Sequence, residues 1–231
     1  MLTHLQPYRD DIAALTPLTQ AISIQLHGWR DSLDGLQLWN EAEVELERLN
    51  LIENDAVSLS RQCLIDWVDR GLPISIRFLL EMLWGNGSEN ATAFEKVGAM
   101  LCHQSIDDIL ASAVESIDAN DIKKAFSSLK KIPQLGVSFL TKALYFETRA
   151  RRDNGYRLIF DNRVSKALVA LAVADEDRWI TESVVAQRGN TWKGYDQYCT
   201  RMQTLATDLN VDPEQLEYWL FLNNGEDLPQ T

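Results

Sequence analysis

The chain has 231 residues, 45% of them hydrophobic and 9% aromatic, with a formal charge of −12. That size and composition suit one large or two small folded domains with a substantial core, and they exclude a disordered chain. No apolar run approaches the roughly 20 residues of a membrane span, and the segment MLTHLQPYRDD lacks the apolar stretch of a signal peptide. Cys63, Cys102 and Cys199 are too scattered for a disulfide framework, and with His4, His27 and His103 they show no metal-ligand spacing. A cytoplasmic protein with reduced thiols, no membrane partner and no metal is expected.

Helical periodicity runs through LWNEAEVELERLNLI (38–52), SIRFLLEMLW (75–84), ATAFEKVGAMLC (91–102), SIDDILASAVESI (105–117) and DIKKAFSSLKKI (121–132). It continues through Val164–Val173 and Tyr195–Leu209, and DPEQLEYWLFL (212–222) opens with an acidic, proline-containing helix start. No turn signature joins two alternating runs, and LIF (158–160) is the only β-like stretch, so an all-α fold is expected. Breaks fall at GLP (71–73), WGNGSEN (84–90), RRDNGY (151–156) and QRGNTWKG (187–194). They suggest an N-terminal helical part (1–71) packed with the C-terminal helices, a central lobe (72–160) and closing helices (161–231).

Charge is segregated along the chain. From Ile122 to Lys166 eleven Lys and Arg face three acids, a net of +8, which leaves −20 for the remainder. Such a segment presents either a phosphate-binding face or a solvated lysine-rich helix surface. Within it lies KIPQLGVSFLTKALYF (131–146), where a short Pro/Gly turn, Ile132–Gly136, joins two helices. A glycine such as Gly136 can adopt positive φ and keep the turn tight. The turn would then expose backbone N–H groups at the start of the next helix, a site for a phosphate oxygen. Lys130 and Lys131 beside the turn would add charge without reading base sequence.

The stretch downstream, YRLIFDNRVSKALVAL (156–171), completes a pattern. Together, IPQLGVSFLTKALYF and LIFDNRVSKAL resemble the hairpin and catalytic-aspartate segments of helix–hairpin–helix DNA glycosylases, and among them a bacterial family with an 8-oxoguanine glycosylase fold. The resemblance covers roughly residues 75–172. It implies a two-lobed, all-α protein that binds duplex DNA, extrudes a damaged purine and cleaves its N-glycosidic bond, with no cofactor. Two departures stand out. Ser138 occupies the place of the amine that strand-cleaving members use, and Gln134 replaces a hairpin glycine. The four-cysteine iron–sulfur motif of some relatives is absent.

On this resemblance Asp161 is the carboxylate that would stabilise positive charge on the sugar, while as a plain residue it reads as a helix N-cap. Lys142, one helical turn beyond Ser138, would return an amine to the site or touch phosphate. Glu81, among Leu79, Leu80, Met82 and Leu83, would protonate a leaving base if buried and would otherwise be a solvent-facing helix residue. Trp84 and Asn86 would hold the extruded base, or Trp84 would belong to the core. Gly136, Ser138, Lys130, Lys131 and Arg163 would contact the backbone. Tyr195, Tyr198, Trp219 and Phe221 read as core. A second possibility is a catalytically inactive module that binds a modified nucleobase, a nucleotide or a protein partner, in a setting such as antiviral defence.

Overall fold

The computed structural model describes residues 1–87, 91–172, 177–180 and 191–224. In chain order its elements are α1 (Leu2–Leu5), α2 (Arg9–Ala13), β1 (Ala21–Gln25), α3 (His27–Leu33), α4 (Gln37–Arg48), β2 (Ile52–Glu53), β3 (Ala56–Ser60), α5 (Arg61–Asp69) and α6 (Ile74–Asn86). They continue with α7 (Ala91–Leu101), α8 (Ile106–Asp118), α9 (Ile122–Leu129), α10 (Val137–Arg151), α11 (Asn162–Ala170), α12 (Arg178–Ile180), α13 (Trp192–Leu209) and α14 (Pro213–Asn223). The helical class read from the periodicity holds. No helix among the described residues is long and apolar enough to cross a membrane. Parts of two expected loops, residues 88–90 and 187–190, and Val173 lie outside the described residues.

A small antiparallel sheet of order β1-β3-β2 corrects the expectation that no strands pair. Ile22 pairs with Leu59 and Ile24 with Val57, so AISIQ and AVSLS alternate with Ile24, Val57 and Leu59 turned into the core. β2 and β3 are joined through Asn54 and Asp55, both at positive φ (50° and 61°), the geometry of a type I′ turn. The LIF stretch, by contrast, forms no strand.

The chain divides into two compact units, one of residues 18–156 and one of residues 1–17 with 157–231. In the first, α6 is buried over nearly its whole length, from Ile76 to Trp84. Gly85 sets its fit to α10: a Cβ there would lie 2.6 Å from the Phe139 ring and 3.1 Å from Cδ of Lys142. In the second unit, side chains cap each long helix. Asp161 caps α11, Thr191 caps α13, and Asp212 forms a capping box with Gln215 at α14.

Candidate nucleic-acid and base-excision site

α9 and α10 form the helix–turn–helix read from KIPQLGVSFLTKALYF, α9 being capped by Asp121. The turn works differently from the expectation. Gly136 has φ −68° and ψ 159° and caps α10 in extended backbone, whereas positive φ falls on Gln134, at 62°. No side chain caps α10, and the amides of Gly136, Val137 and Ser138 make no hydrogen bond to a described residue. Nothing lies within 4 Å of a Cβ built on Gly136, so neither φ nor a neighbour demands glycine there. Because a non-glycine residue in left-handed backbone is strained, Gln134→Gly should stabilise the 18–156 unit by about 0.5–1 kcal/mol after the entropy of the freer unfolded chain is subtracted. A raised denaturant midpoint with unchanged slope checks this; no gain would mean the turn carries no strain.

Ser138 lies in the first turn of α10, and Lys142 follows one turn on. Lys142 is 7% exposed, and its Nζ donates to Ser138 Oγ at 2.9 Å. The same ammonium lies 5.1 Å from the Phe139 ring centre. The four-carbon stem therefore carries the amine back to residue 138, through space that Gly85 leaves open.

Asp161 lies in the second unit, at the start of α11. Its Oδ1 accepts from the Arg163 and Val164 amides at 2.9 and 3.0 Å, while Oδ2 accepts from no described residue. Capping thus occupies one oxygen and leaves the other without a partner among the described residues. Arg163 is exposed and places its guanidinium 4.9 Å from the Phe221 ring. Tyr195, Tyr198 and Trp219 are buried, and Phe221 is half-buried beneath Arg163.

Glu81 sits in the interior of the 18–156 unit, 2% exposed. It lines a cavity with Phe78, Leu110, Ala113, Ala143 and Glu147 whose free space, about 10 Å³, suits a single water. Burial, with Glu147 close by, pushes its carboxyl well above the usual range, against the smaller opposing pull of Arg77. An acid held protonated in the fold but not in the unfolded chain destabilises the fold as pH rises. Stability from Glu81 should therefore be complete below about 4.5 and decline through its higher folded value. Glu81→Gln should abolish that decline and raise the melting temperature at pH 8. An unchanged pH–stability profile in the variant would show that Glu81 does not carry it.

Trp84 is 5% exposed and meets Phe146 edge-on at 5.4 Å, with the Arg61 guanidinium 5.7 Å from its ring. Its buried indole N–H has no hydrogen-bond partner among the described residues. Asn86 donates to the Met82 carbonyl one turn back along α6.

The basic segment is partly spent within the fold. Arg151 pairs with Asp118 and Glu147, Arg152 donates to the Ile117 carbonyl, and Arg157 pairs with Asp196 and covers Trp192. Lys123, Lys124, Lys130 and Lys131 are exposed on α9 and the turn. Sequence reading assigned the whole +8 to one face because it could not see these internal partners. It also read the tyrosines of α13 only as core, which they are, and not as donors: Tyr195 Oη donates to the Leu158 carbonyl and Tyr198 Oη to that of Ile159, each at 2.8 Å. Their i, i+3 spacing was visible, but nothing in it names an acceptor almost forty residues upstream.

No group of three or more His, Cys, Asp or Glu residues that could hold a metal ion occurs among the described residues. A family model described as "Putative 8-oxoguanine DNA glycosylase OGG-like protein" matches residues 15–221. No curated protein and no solved structure matches the chain. The family match spans both the hairpin with Lys142 and the segment with Asp161, and the chain belongs to this OGG-like family.

Proposed function

We propose that the chain is a DNA N-glycosylase that releases a damaged purine of the 8-oxoguanine kind from duplex DNA. The observation that carries this reading is Lys142, whose amine reaches the Ser138 hydroxyl in the first turn after the hairpin. Strand-cleaving helix–hairpin–helix glycosylases keep an amine at the position of Ser138, and Lys142 would supply one there. The uncapped amides of α10 and the exposed lysines at 123, 124, 130 and 131 are groups suited to a phosphate backbone. Gly136, with open space around it, lets backbone approach a phosphate closely.

In the reaction the C1′–N bond breaks with its electron pair leaving on the base, which takes up a proton. Asp161, the carboxylate that the resemblance assigns to this step, would oppose the positive charge that develops on the sugar through Oδ2, which no described residue engages. Either water or the Lys142 amine, once its ammonium has given up a proton, adds to C1′ and loses a proton; addition of the amine gives a Schiff base once the sugar ring opens. Glu81, enclosed with a water-sized cavity, is assigned no step.

Incubation with 8-oxoguanine and abasic duplexes, with and without borohydride, tests the proposal. Wild type should release base and form a trapped adduct, and Lys142→Gln should lose the adduct. Release without an adduct would mark a monofunctional enzyme, whereas neither release nor adduct would refute catalysis. The internal pairing of Arg151, Arg152 and Arg157 favours the alternative of a binding module with fewer phosphate contacts. Four lysine–phosphate contacts would give a log K against log[salt] slope of about −3.6. A flat line would point to a partner other than DNA.

A further inference from the structure

Asp161 is delivered to the start of α11 by residues 157–160, a segment that belongs to no helix or strand. Regular backbone pairing therefore does not set its path, and the aim of the carboxylate depends on what grips the segment. The grip visible in the structure comes from one face of α13. Tyr195 and Tyr198, both essentially fully buried, spend their hydroxyls on the consecutive carbonyls of Leu158 and Ile159. The Tyr198 ring also lies 4.8 Å from Phe160, and Asp196 holds Arg157 at 2.8 Å. Residues 195, 196 and 198 of a single helix thus grip residues 157–160 one after another. Asp161 then continues in extended backbone, φ −123° and ψ −179°, before the chain turns into α11.

A buried phenol is a rigid spacer, since its ring is locked by packing and its hydroxyl is held by hydrogen bonds, that of Tyr195 also to the Cys199 side chain. Two such spacers fix two successive peptide planes, and the orientation of the second determines where the side chain two residues on points. We propose that Tyr195 and Tyr198 are positioning residues, a hydroxyl clamp that aims the Asp161 carboxylate; this rests on the catalytic reading of Asp161 given above. The role differs from core packing because it resides in the hydroxyls. A phenylalanine fills nearly the same volume and loses only the hydroxyl with its hydrogen bonds. Misplacement of a reacting group by about 1 Å lowers rate by up to about 10²-fold while binding is kept.

The test uses the full chain and four proteins: wild type, Tyr198→Phe, Asp161→Asn and the Tyr198→Phe/Asp161→Asn double variant. Tyr195→Phe serves as an independent second probe of the same clamp. Tyr198→Phe should lower kcat for base release about 10-fold, with KM and duplex affinity within two-fold of wild type. Amide exchange at Arg163 and Val164 should accelerate, with α13 and α14 unchanged. In the Asp161→Asn background the same substitution should cost nothing further, because its effect passes through that carboxylate. Unaltered kcat and exchange in both tyrosine variants would overturn the clamp, as would a loss that simply adds to that of Asp161→Asn. Full base release by Asp161→Asn alone would instead overturn the catalytic reading, and local amide exchange would then judge the clamp by itself.

Discussion

Replacing Asp161 with asparagine is expected to lower base release by about 10²–10⁴-fold while leaving duplex affinity and folding nearly intact. The separation of the two effects follows from the geometry. Asparagine is as good an N-cap as aspartate, and its Oδ1 can accept from the same two amides of Arg163 and Val164. What disappears is the negative charge at Oδ2, the atom that no described residue engages. Its favourable interaction with the N-terminus of α11 contributes about 0.3–1 kcal/mol, the only stability loss expected. Single-turnover release from an 8-oxoguanine duplex, paired with a binding isotherm, separates chemistry from binding. Undiminished release would leave Asp161 as a cap and nothing more.

The second large effect concerns folding. Arg77→Ala should destabilise the 18–156 unit by about 3–5 kcal/mol, the range for breaking one partner of a buried ion pair. Arg77 and Glu147 are both nearly inaccessible and meet at 2.9 Å, and Arg77 also donates to the Leu72 carbonyl. Removing the guanidinium leaves two interior carboxyls, Glu81 and Glu147, with less compensation, although Arg151 still reaches Glu147 at 2.7 Å. That remaining contact places the loss toward the lower end of the range. Urea unfolding of the variant against wild type measures it. A change below about 1 kcal/mol would mean that Arg151 alone neutralises the pair.

Arg77 and Glu81 therefore act oppositely at neutral pH, although both are ionisable residues buried on the same helix. Arg77 is matched by an acid, whereas Glu81 shares its surroundings with another acid and an apolar wall. The sign of each mutation follows from the partner rather than from the residue type.

Much of the architecture is legible in the chain because helices are local objects. The 3.6-residue periodicity and the caps at Asp121, Asp161 and Asp212 depend on residues two to four apart, and the structure places helices where those signals occur. The three-stranded sheet escaped notice because β2 has only two residues and its turn uses Asn-Asp instead of a glycine pair. Its alternating runs also lie about thirty residues apart, so their pairing is no neighbour effect. The hairpin could be located from Pro133 and Gly136, but the left-handed residue proved to be Gln134. Glycine permits positive φ without requiring it.

Sequence alone thus determined the helical class, the position of the hairpin and the presence of an aspartate at the start of α11. These rest on spacings that a single turn of backbone enforces. Only the tertiary structure decided that Glu81 is enclosed beside Glu147, since α6 is apolar on nearly every side and its periodicity names no outer face. It also decided that the Lys142 amine returns to Ser138 past Gly85, and that two tyrosine hydroxyls hold Leu158 and Ile159. Those contacts join residues that only packing brings together, and packing is a property of the whole fold.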